Sequence, residues 1–72
     1  MFEELRETIA QRIAQLEPGR RFNLRGLLGE EWPDGQGAAR QLGKEFRANL
    51  EAFPGVVDEG RDGENLRWYQ KV

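Results

Sequence analysis

Arg40, Lys44 and Arg47 recur at i, i+4 and i+7 within a stretch of helical periodicity, beside Gln41. On a helix that spacing draws the three cations into one stripe. Arginine and glutamine are the side chains that bond bidentately to guanine or adenine edges, and lysine neutralises phosphate. The stripe is the strongest candidate in the chain for nucleic-acid contact. The plainer alternative is a solvated helix face in which Lys44 or Arg47 pairs locally with Glu51. A second basic group, Arg20, Arg21 and Arg25, surrounds Phe22, with Arg25 on the first turn of a short helix. Backbone amides at that helix start could join these arginines in holding a phosphate, or their stems could simply shield the aromatic ring. Arg61, Arg67 and Lys71 form a third group, with Arg61 placed at a loop tip where a cation would meet phosphate. Asp58, Glu59, Asp62 and Glu64 surround it and oppose the approach of DNA.

Other chemistries find little material. The 72 residues contain no histidine and no cysteine, which excludes thiolate and imidazole metal sites, disulfides and every nucleophile–histidine pair. The acidic run with two glycines after Val57 does not have the twelve-residue spacing of a calcium loop. Glu30, Glu31 and Asp34 are carboxylates with nothing beside them to orient a substrate, and they read as a solvated turn. Four phenylalanines, two tryptophans and one tyrosine are first of all core for a chain of this size. The expectation is a non-enzymatic module without metal or cofactor.

The elements that must position these side chains follow from periodicity and breakers. Phe2, Leu5, Ile9, Ile13 and Leu16 form an apolar stripe and predict a helix over residues 1–16, stopped by Glu17-Pro18-Gly19. Arg20-Arg21-Phe22 is a short extended piece, a strand only if it pairs with something later. Asn23 predicts an N-cap for a brief helix through Leu24, Leu27 and Leu28, closed by Gly29. Residues 30–37 read as a turn from which Trp32 reaches back to the core. Ala39, Leu42, Phe46, Leu50 and Phe53 predict a helix over 38–52, ended by Pro54-Gly55. Val56-Val57, a polar break over 58–64 and residues 65–71 read as a β-hairpin. No repeat, linker or low-complexity tract divides the chain, so residues 1–72 read as a single domain near the lower size limit for an unaided core.

This order of helix, short strand, short helix, turn, helix and ribbon resembles a winged helix-turn-helix domain. The resemblance is carried by Gly19-Arg20-Arg21-Phe22-Asn23-Leu24-Arg25-Gly26-Leu27-Leu28, by Trp32, by Leu42-Gly43-Lys44-Glu45-Phe46, and by Asn65 with Tyr69. The same residues are similar to a bacterial family of small domains of unknown function. The resemblance implies an α+β fold of three helices, a short strand and a C-terminal β-hairpin. It also implies that helix 38–52 reads the major groove and that the 57–69 hairpin acts as a wing. The segment Trp32-Pro33-Asp34-Gly35 departs from the pattern, being longer than the three- or four-residue turn of a compact unit. On this reading Arg40, Gln41, Lys44, Arg47, Arg61, Arg67, Arg21 and Arg25 are the DNA-binding residues.

Charge limits how strongly such a protein binds. Formal net charge is −2, from 11 Lys+Arg against 13 Asp+Glu. A monomer could neutralise about three to six phosphates, so binding would be weak and salt-dependent unless the protein forms a homodimer on adjacent half-sites. The expected class is a small DNA-binding regulator or accessory protein. The alternative is a protein-interaction module on the same scaffold: an adaptor, an inhibitor or a subunit. No apolar run approaches the ~20 residues that span a bilayer, and the expectation is a cytoplasmic protein with no membrane partner.

Overall fold

The computed structural model describes all of residues 1–72. The N-terminal apolar stripe folds as α1 (Phe2–Ala14), burying Phe2, Ile9 and Ile13 while Leu5 and Leu16 pack beside them. Glu3 and Glu4 lie in its first turn and Arg12 in its last, each sign suited to the helix dipole. The helix ends before Leu16 because the chain reverses toward Gly19, whose φ of +91° suits a residue without a Cβ. Lys71 Nζ donates to the carbonyls of Ala14 and Leu16, so a cation from the far end of the chain meets the open C-terminal oxygens of α1.

The two-residue strand β1 (Arg21–Phe22) exists through its partner, the last strand, β3 (Arg67–Lys71). Arg21 lies opposite Gln70, and Phe22 opposite Tyr69. The short helix α2 (Leu24–Leu28) begins as expected: Asn23 is extended and its side-chain oxygen accepts from the Gly26 amide at 2.7 Å. Arg12 secures the other end of α2. Its Nη1 donates to the carbonyls of Leu28 and Leu27 at 2.8 and 3.1 Å, and its Nη2 to the Glu31 carboxylate at 2.6 Å. Gly29, at φ +56°, opens a 3-10 turn over Gly29–Glu31. Trp32 follows it and packs against the core, as the sequence suggests.

Helix α3 (Gln36–Ala48) differs from the predicted 38–52 at both ends. It starts from Gly35, whose carbonyl accepts from the Ala39 amide. It stops at Ala48 because Asn49 leaves the helical conformation while its side-chain amide donates back to the Glu45 carbonyl at 2.8 Å. Leu50–Ala52 then form a separate 3-10 turn. Strand β2 (Val56–Arg61) runs further than the predicted Val56-Val57 and takes in residues 58–61 of the expected 58–64 polar break. Two of its charged residues, Asp58 and Glu59, pair with Arg67 on β3 and Arg21 on β1. Arg61 is therefore the last residue of a strand and not a loop tip. The loop itself is shorter, residues 62–66. Asp62 organises it, accepting from the amides of Glu64 and Leu66 and from the Trp68 indole N–H at 2.8 Å.

The result is an α+β fold of three α-helices and a three-stranded antiparallel sheet in the order β1-β3-β2. Helix α1 packs on both α2 and α3. Ten buried side chains drawn from all parts of the chain make one cluster. Phe46 is its centre, 4.9 Å from the Phe53 ring and 5.0 Å from the Tyr69 ring between centroids. The Phe46–Tyr69 contact fixes the sheet against α3, and Tyr69 in turn stacks on Phe22 at 5.7 Å, tying β3 to β1.

Candidate functional site

Burial of Leu42 and Phe46 fixes how α3 is turned about its axis. Arg40, Lys44 and Arg47 then lie on the side away from the core, toward the β2–β3 hairpin. Gly43 shares that side, and a Cβ placed there would meet nothing within 4 Å, so the space between helix and hairpin stays open. That space is a cleft of about 560 Å³. Arg40, Lys44 and Arg47 form its helical wall, Arg61 and Arg67 its hairpin wall, and Arg25 reaches it from α2. Six cations thus surround one cleft, and no carboxylate lines it.

The hairpin wall depends on an irregularity in β2. Asp58 lies opposite Tyr69 and Arg61 opposite Arg67, while Gly60 is the partner of Trp68 and the register shifts between Asp58 and Gly60. Asp58 and Arg61 lie three positions apart, which in an unbroken strand would place them on opposite faces. The extra residue at Glu59-Gly60 restores the phase, with Gly60 at φ +85°, and brings Arg61 onto the face of Tyr69 and Arg67. Glu59 is displaced to the outer face of the sheet, where it pairs with Arg21.

Electrostatically the cleft is undercompensated. Arg67 Nη1 donates to both oxygens of Asp58, at 2.7 and 2.9 Å, while its Nε has no partner. Burial pushes the Asp58 carboxyl up, but the Gly60 amide and Arg67, helped by the charge of Arg47, outweigh it and hold the carboxyl below its usual range. Arg61 Nη1 donates to the neutral Asn65 Oδ1 at 2.9 Å. Arg25, Arg40, Lys44 and Arg47 form no ion pair. Five of the six cations therefore lack a carboxylate partner. The other five of the chain's 11 cations share the remaining surface with 12 of the 13 acidic residues, the thirteenth, Asp58, being held by Arg67. Burial, and then the Asp58 charge, pushes the Tyr69 phenol up.

Six of the eight residues expected from the sequence meet here: Arg25, Arg40, Lys44, Arg47, Arg61 and Arg67. Gln41 does not. It lies on the other flank of α3, where its amide donates to Glu45 one turn on at 3.2 Å. Arg21 does not either, since it bonds to Glu59 and its guanidinium lies 5.1 Å above the Trp68 ring. The basic group of Arg20, Arg21 and Arg25 is divided by the sheet. Arg20 and Arg21 line a different depression with Arg12 and Trp68, and only Arg25 reaches the cleft. At the start of α2 the Asn23 side chain holds the Gly26 amide. No pair forms between Glu51 and either Lys44 or Arg47. The acids around Arg61 turn elsewhere: Asp58 to Arg67, Glu59 to Arg21 and Asp62 into the loop.

Sequence reasoning missed the uncharged part of the cleft, which includes Trp32, Asn65 and Leu66. Trp32 read only as core. Asn65 carried a usable signal, because asparagine is one of the few residues that tolerates its φ of +65°. Nothing in the local sequence of Leu66 indicates the role. No three acidic side chains converge to hold a metal ion. No helix is long and apolar enough to cross a membrane. Comparison with protein-family models, curated proteins and solved structures gives no match.

Proposed function

We propose that this chain is a small non-enzymatic DNA-binding protein, a regulator or accessory factor, built as a winged helix-turn-helix domain. The observation that carries the proposal is the convergence of six cations on one cleft in a protein of net charge −2. Unpaired like charges repel and weaken a fold, so their concentration between α3 and the hairpin suits an anionic ligand better than it suits stability. The element order and the β1-β3-β2 sheet support the winged-helix reading. On a duplex, α3 would enter the major groove with Arg40, Lys44 and Arg47. The hairpin would follow the backbone with Arg61 and Arg67.

The test is an amide NMR titration with mixed-sequence DNA at low salt and again at about 0.15 M, where the Debye length is about 8 Å. Shifts concentrated on residues 38–48 and 60–67, weakening with salt, support the proposal. A flat response to the duplex at low salt removes duplex DNA as the partner. A second reading, a protein-interaction module, is favoured by the acidic remainder of the surface, where five cations lie among 12 carboxylates. Recovery of a stoichiometric protein partner from nuclease-treated extract, together with a flat DNA titration, selects that reading.

A further inference from the structure

The cations of the cleft stand around an apolar base. Leu24 and Tyr69 are buried and Trp32, Ala39 and Leu66 are half-buried, whereas all the cations but Arg67 are exposed. Phosphate has no use for the apolar part, since a charged group loses hydration against such a surface. In a duplex the base faces are stacked on one another, and only phosphates, sugars and base edges are offered outward. An unstacked base is different. It presents a flat apolar face for Trp32 and Leu66 to cover and polar edges for donors to meet. The donors are there: the Trp32 indole N–H makes no hydrogen bond within the protein, in contrast to that of Trp68, which is held by Asp62. Nothing in the lining is a charged acceptor, so every charged contact the cleft offers suits an anion. A cationic groove with an aromatic side chain in its base is the arrangement that holds single strands.

We infer that the cleft receives a single-stranded nucleic-acid segment, with phosphates between Arg40, Lys44 and Arg47 on one wall and Arg61 and Arg67 on the other, and an unstacked base against Trp32. The inference rests on the nucleic-acid reading of this face and names the form of nucleic acid that fills it. Blunt duplex reaches the rim cations but leaves the apolar base uncovered.

The experiment compares a labelled thymidine oligonucleotide of ~12 nucleotides, within the usual span of a single-strand site, with a blunt duplex of the same length. Fluorescence anisotropy is read at low salt for the full chain and for Trp32→Ala and Trp32→Phe. In a Trp68→Phe background the emission comes from Trp32 alone. The single strand is expected to bind more tightly than the duplex and to quench Trp32. Trp32→Ala should weaken single-strand binding by about tenfold and leave the duplex nearly unchanged, and Trp32→Phe should recover most of the loss. Because Trp32 also packs on the core, folding of each variant is checked by circular dichroism, and Trp32→Phe keeps the comparison interpretable if the alanine variant unfolds. Duplex binding as tight as single-strand binding overturns the inference, as does an equal loss on both for a folded Trp32→Ala. Binding of duplex alone leaves the DNA reading standing without it. Binding of neither at low salt overturns both.

Discussion

Replacing Arg40, Lys44 and Arg47 together with alanine separates a cation stripe that binds nucleic acid from one that is merely solvated. All three are exposed and form no ion pair, so their loss removes charge with little cost to folding. Five cations of the cleft lack a carboxylate partner and are free to displace counterions from phosphate. With about 0.7 ions released per phosphate on a single strand and about 0.9 on a duplex, the plot of log affinity against log salt should slope about −3.5 and about −4.5 respectively. Between about 50 and about 200 mM salt the affinity should then fall about 100-fold for single strand and about 500-fold for duplex. Removing three of the five leaves slopes of about −1.4 and about −1.8. Fluorescence anisotropy at four salt concentrations measures both lines, and circular dichroism shows whether the variant is folded. Arg21→Ala is the control: Arg21 pairs with Glu59 off the cleft, so the slope should not move. A folded triple variant with an unchanged slope, or a wild-type slope shallower than about −1, refutes the assignment of these residues.

Asp58→Asn should lower stability in urea unfolding by about 1–2 kcal/mol, between the values of exposed and buried pairs, because both Asp58 and Arg67 side chains are 27% exposed. The carboxyls of Asp58 and Asp62 are held below their ordinary range, so the folded chain binds their protons more weakly than the unfolded chain does. Their contribution is complete above the unfolded value of about 3.9 and is lost as pH falls through the depressed folded values. Tm measured against pH should drop on that acid limb, less steeply in Asp58→Asn than in the wild type. Gly60→Ala should cost about 1–2 kcal/mol, a backbone effect alone, since φ is +85° and a Cβ there meets nothing within 4 Å. Asn23→Ala should cost about 1 kcal/mol by opening the start of α2, read as a fall in Tm.

How much of this was legible along the chain depends on how far apart the deciding residues lie. The stripe Phe2, Ile9 and Ile13, the Asn23 cap and the glycines at 19 and 29 act within a turn or two of themselves, and α1 and α2 appear where those signals place them. The cationic stripe of α3 was legible for the same reason, because a helix brings i, i+4 and i+7 together wherever it packs. The end of that helix was not: the apolar period continues through Leu50 and Phe53, while the Asn49 side chain redirects the backbone. Strand β2 reads short in the sequence because Asp58 and Glu59 look like loop residues until their partners, Arg67 on β3 and Arg21 on β1, are known. The second strand reads two residues too long, since Asn65 and Leu66 belong to the loop.

The sequence by itself determined the kinds of element, their order and the sign of the charges each would carry. Local periodicity, caps and breakers decide those, and they need no knowledge of the neighbours. Only the tertiary structure decided which cations share a site. Arg25 and Arg21 sit close in the chain yet part to opposite sides of the sheet, while Arg25 and Arg67 come from distant segments to one cleft. That outcome is set by strand register, by one extra residue at Glu59-Gly60 and by the packing of Phe46 against Tyr69, all of them contacts between segments far apart in sequence.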